Sequence, residues 1–189
     1  MVRSTPAGRS GPAIVAVLAA AWLLAQALPV RAAAPDAAID ASVEKLWFNQ
    51  KALARVDGDL HAVAWHRLNG PDLALARLQR VELHVAQARI IARHQWELLA
   101  TVDYIREAAR SDFFTLRYRG LHRAVKKSRD LLALIDLYGG SIEDATARQA
   151  LSHGRGLIEG NIYLFETLID ILKPHVNEGT TPYSGIWAK

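Results

Sequence analysis

Apolar residues recur along this chain at intervals of three and four, and only Pro71 interrupts the stretch between Asp36 and Lys173 with a proline. That spacing gathers the apolar side chains of each segment on one side of a helix, whereas alternation by two would indicate strands. The first helix is predicted over 37–68, with Ile39, Val43, Leu46, Leu53, Leu60 and Ala64 on one face. Asp57-Gly58-Asp59 inside it marks a point of kinking, because glycine costs about 1 kcal/mol in a helix interior.

Asn69-Gly70-Pro71-Asp72 reads as a turn, with a glycine stop followed by proline in the first turn of the next helix. The second helix is predicted from Pro71 to Arg110. One stripe runs through Ala74, Leu78, Val81, Val85, Ala88, Ala92, Leu99 and Val102; another runs through Leu75, Leu83, Ile90, Ile91, Leu98 and Ile105. Two stripes imply two neighbours. Ser111-Asp112 offers the N-cap of a third helix carrying Phe114, Tyr118, Leu121, Val125, Leu132 and Ile135, which the pair Gly139-Gly140 ends. Ser141-Ile142-Glu143-Asp144 resembles a capping box, with Asp where Glu or Gln is usual, and opens a fourth helix ending before Pro174.

Short connections favour antiparallel neighbours, so the expected fold is all-α, an up-down-up-down four-helix bundle over 33–176. A loose or docked tail over 177–189 contains Gly179, Pro182 and Gly185. No repeat of solenoid period is found.

The region ahead of the bundle has a different pattern. Arg3 and Arg9 precede an uncharged apolar run from Ala13 to Leu28, and Val30-Arg31-Ala32 supplies the small residues a signal peptidase reads. A cut after Ala34 would set Pro35 next to the scissile bond, so residues 1–32 are the expected signal peptide. An uncleaved anchor is the alternative, although Gln26 and Pro29 interrupt the run. Arg3 and Arg9 are not adjacent, which argues against twin-arginine export of a prefolded, cofactor-loaded protein. The expected location is therefore periplasmic or secreted.

Composition then narrows the chemistry. The formal charge of +4 falls to +1 when Arg3, Arg9 and Arg31 leave with the signal, so no global charge argues for nucleic acid. Cysteine is absent, which excludes disulfides, thiolate metal sites, covalent haem attachment, cysteine nucleophiles and a lipoprotein anchor. Glu-x-x-His, His-Glu-x-x-His, Gly-x-Ser-x-Gly, P-loop and EF-hand patterns are missing. No catalytic set assembles from residues that spacing places together, and neither a cofactor nor a metal is expected. Carboxylate pairs formed across helices would be invisible to this reading and leave an envelope hydrolase as an outside class.

Three local features carry candidate contacts. Arg117, Arg119, Arg123, Lys126, Lys127 and Arg129 crowd the third helix with no acid among them, a ridge suited to an anionic protein surface, a lipid headgroup or a wall polymer. Against this stands an ordinary solvated face neutralised by acids of neighbouring helices. Gly154, Gly156 and Gly160 place small residues within one helix. The face of Gly156 and Gly160 is a candidate contact for a partner helix or a homodimer, against packing inside the monomer. Trp47, His61 and Trp65 on the first helix, with His94 and Glu97 on the second, could line a ligand pocket; core packing is the plainer reading. The functional expectation is an exported, non-enzymatic bundle that binds a protein or anionic envelope component as an adaptor or chaperone-like accessory. The alternative is a small-molecule or metal sensor built on the His/Trp pocket.

Overall fold

A computed structural model describes residues 35–66 and 73–176. The expected signal peptide (1–32) and the tail (177–189) lie outside the described residues, as does the turn at Asn69–Asp72. Four long helices account for nearly all of the described chain: α1 (Pro35–His66), α2 (Leu73–Leu99), α3 (Glu107–Gly139) and α4 (Ala145–Leu172). Short 3₁₀ turns lie at Val102–Tyr104 and Lys173–His175. The described residues are all-helical, with no strand among them. Among the described residues no helix is long and apolar enough to cross a membrane.

α1 is unbroken through Gly58. Its buried face is Ile39, Leu46, Leu53, Val56, Leu60 and Ala64, close to the expected stripe, with Val43 only partly covered. α2 buries Leu78, Val81, Val85, Ala88, Ala92 and Leu99. Its expected second stripe is not a buried stripe, because Leu83 and Ile90 are exposed. α2 nevertheless has two neighbours, α1 and α3, which share one broad apolar face. α4 contributes Ile158, Phe165, Leu168 and Leu172 to the same core. Each such side chain contributes about 1.5–3 kcal/mol relative to remaining exposed.

The junction between α2 and α3 departs from the expected continuous helix to Arg110. α2 stops at Leu99, where the Thr101 hydroxyl donates to the Leu98 carbonyl at 2.7 Å, an alternative to continued helical bonding. Val102 is buried while Tyr104 faces solvent, so the turn is held by one apolar anchor rather than by glycine or proline. α3 then starts at Glu107, one turn before the expected Ser111-Asp112 cap. Ser111 lies inside the helix, its carbonyl accepting from Thr115 Oγ1 at 2.8 Å.

The start of α4 also shifts. Asp144, not Ser141, is the N-cap, its Oδ1 accepting from the Ala147 backbone N–H at 2.9 Å. α3 does end at the glycine pair. Gly139 lies close to α4, and a β-carbon there, 2.5 Å from Leu151 Cδ2, would make the end of that leucine give way.

α1 packs against α2 and α4, and α3 packs against the same two. Paired residues fix each register. Asp57 meets Arg89 at 2.9 Å and His61 meets Glu82 at 2.8 Å across α1 and α2. Asn49 meets Asn161 at 2.8 Å across α1 and α4. Arg80 donates to the Tyr138 hydroxyl at 2.9 Å across α2 and α3. Asp136 meets Arg155 at 3.0 Å across α3 and α4, where Arg129 also pairs with Glu166.

Candidate functional site

The six cations from Arg117 to Arg129 on α3 do not form one uniform ridge. Arg129 is paired with Glu166, and Lys126 reaches Asp130 on the next turn at 3.3 Å. Those two are the neutralised part. Arg117 lies near the Phe113 ring, with its guanidinium carbon 5.7 Å from the centroid. Arg123 Nε donates to the Arg119 carbonyl at 3.4 Å. Among the described residues no carboxylate lies within 4.0 Å of the charged atoms of Arg119, Arg123 or Lys127.

Arg117, Arg123 and Lys127 face one open groove between α2 and α3, of about 650 Å³. That volume is within the range typical of ligand sites. Ile90, Ile91, His94 and Gln95 form the α2 wall, and Leu116, Gly120 and Ala124 complete the α3 wall between the cations. No acidic side chain lines it. The groove is therefore half apolar and half cationic.

Gln95 is the least expected of these residues. It sits on the buried stripe of α2, one turn from Ala92 and Leu99, with only 6% of its surface exposed. Its Oε1 is buried without a hydrogen-bond partner. An orphaned buried polar atom costs about 1–3 kcal/mol. Gly120 lies against it, since a β-carbon there would come 3.9 Å from Gln95 Oε1. A glycine at the middle of a helix is unfavourable locally, and here it keeps the wall of the groove thin over the Gln95 amide.

Of the alternative pocket residues only His61 and Trp65 come together among the described residues. His61 Nδ1 is bonded to Glu82, and its ring lies 6.3 Å from that of Trp65, which is exposed. These two share a recess of about 270 Å³ with Ala64, Gln79 and Glu82. Trp47 stacks edge-on against Phe48 at 4.9 Å and has the Lys51 ammonium 3.8 Å above its ring. Glu97 is held by Arg93 at 2.7 Å, and His94 opens into the basic groove instead. Among the described residues no group of three or more metal-ligating side chains is positioned to hold an ion.

Of the three glycines in α4, the close approach falls at Gly154, where a β-carbon would lie 2.8 Å from Val56 Cγ1. Gly160 lies 3.7 Å from Asn49 Nδ2 by the same measure, and Gly156 has open space around it. One further electrostatic feature lies between α1 and α2. Burial raises the Asp57 carboxyl above its ordinary 3.8, Glu82 adds to the rise, and Arg89 and His61 oppose it.

The sequence alone pointed to Arg117, Arg123 and Lys127 but missed Gln95, Gly120 and Ile90 as their companions. A polar residue on the apolar stripe of α2 was the available signal for Gln95. Comparison with family models, with curated proteins and with solved structures gives no match.

Proposed function

We propose that this chain is an exported, non-enzymatic binding protein whose contact is the basic part of α3 with the groove beside it. It acts as an adaptor or accessory of the envelope and receives an anionic group of its partner there. The observation that carries this reading is the groove itself: three cations, no lining acid and a volume suited to a bound group. The sequence pattern of residues 1–32 supports export through a cleaved signal peptide. An up-down-up-down arrangement is supported by the paired residues, because in each neighbouring pair the numbers rise on one helix as they fall on the other.

The test places a photo-reactive amino acid at Arg119, on the exposed ridge, and another at the exposed Tyr163 of α4 as a control. Irradiation in the native envelope is expected to give an adduct from position 119 and not from 163. Arg123→Glu with Lys127→Glu should abolish that adduct. An adduct that survives the charge reversal, or none at position 119, overturns the reading.

A further inference from the structure

The groove has two halves that ask for different chemistry. Arg123 and Lys127, neither within 4.0 Å of a carboxylate among the described residues, carry two positive charges toward one space beside Arg117, more than a single carboxylate would balance. A phosphate group, with up to two negative charges and several acceptor oxygens, matches them better, and guanidinium groups suit its geometry. Ile90, 59% exposed, and Leu116 line the other half with apolar surface. Under Gly120, among the lining residues, lies the buried Gln95 amide, its Oε1 without a hydrogen-bond partner. A rotamer change that carries the Gln95 side chain outward beside Gly120 brings its NH₂ into the groove, where it becomes a donor for an oxyanion.

We propose that the α2–α3 groove binds a phosphate carried on an apolar body, as in an anionic phospholipid. Arg123 and Lys127 hold the phosphate, Gln95 donates to it once its side chain turns outward, and Ile90 and Leu116 cover the first carbons of the apolar part. This rests on the reading of α3 as an anion-receiving face and specifies the anion.

The decisive experiment is titration calorimetry of the mature chain with three probes: a water-soluble short-chain phosphatidic acid, inorganic phosphate and short-chain phosphatidylcholine. Phosphatidic acid is expected to bind at least tenfold more tightly than inorganic phosphate, and phosphatidylcholine more weakly than phosphatidic acid. Gln95→Leu should weaken phosphatidic acid at least tenfold while raising the melting temperature. That combination separates a binding residue from a structural one, whose loss would lower the melting temperature. Gly120→Leu, which fills the groove without changing charge, should also abolish binding, with circular dichroism confirming the helical fold. Equal affinity for inorganic phosphate would overturn the apolar half of the proposal. Binding that is lost with Arg123→Glu and Lys127→Glu but unaffected by Gln95→Leu would overturn the groove and leave only a charged surface. In either case the adduct at position 119 would still stand or fall on its own result.

Discussion

The side chain of Val56 occupies the space that a β-carbon on Gly154 would need, with Cγ1 2.8 Å from that position. Valine is stiff about its first side-chain torsion, so α1 and α4 cannot accommodate an added methyl there without moving apart. Gly154→Ala is therefore expected to destabilise the bundle by about 1–3 kcal/mol. Gly156→Ala, two residues on and facing open space, is expected to stabilise it by up to about 1 kcal/mol through helix propensity. Urea unfolding of the two variants checks both signs at once.

Asn161 is 2% exposed and accepts from Asn49 Nδ2 at 2.8 Å. Asn161→Ala removes this acceptor from a buried seam and should cost about 1–3 kcal/mol. A double-mutant cycle with Asn49→Ala should return a coupling of about 0.5–1.5 kcal/mol; additive losses would mean that the bond contributes nothing specific.

The raised carboxyl of Asp57 gives a pH dependence with a definite sign. Because burial makes the folded protein hold this proton more tightly than the unfolded chain, the stabilising contribution is present in acid and lost as pH rises through the folded value. Asn at this position does not titrate. The melting temperature of Asp57→Asn minus that of the native chain should therefore grow from below the ordinary value of 3.8 toward neutral pH. A difference that shrinks instead would show that attraction to Arg89 outweighs desolvation.

Gly120 has room for a methyl group, with 3.9 Å between a built β-carbon and Gln95 Oε1. Gly120→Ala is expected to raise stability by up to about 1 kcal/mol, since the helix gains propensity and no backbone must shift. Thermal unfolding measures this directly, and a loss of stability would show that the helix wall is tighter than this spacing implies.

Much of the fold is legible in the sequence because α1 and α4 each bury one face, and burial on one face imposes its period on the residues. Ile39, Leu46, Leu53 and Leu60 declare themselves in this way. The α2–α3 junction does not, because Thr101–Arg106 contains neither glycine nor proline and its geometry depends on Val102 finding the core. Leu83 and Ile90 mislead for the opposite reason: apolar residues are common on protein surfaces, so their type does not report their direction. The cations of the candidate site are visible as a run, but neutralisation is a property of helix pairs. Only the register of α3 against α4 shows that Arg129 meets Glu166, and only that of α2 against α3 brings Gln95 to Gly120.

Opposite charges clasp the bundle unevenly. Asp57–Arg89 joins α1 to α2, and Asp136–Arg155 joins α3 to α4, each across a seam. The seam between α2 and α3 is joined instead by the neutral-acceptor bond from Arg80 to Tyr138, near the end remote from the groove. The four seams are thus fastened in two ways, α1 to α2 and α3 to α4 by charge, and α1 to α4 and α2 to α3 through the neutral acceptors Asn161 and Tyr138, so that added salt should loosen the first two more than the others.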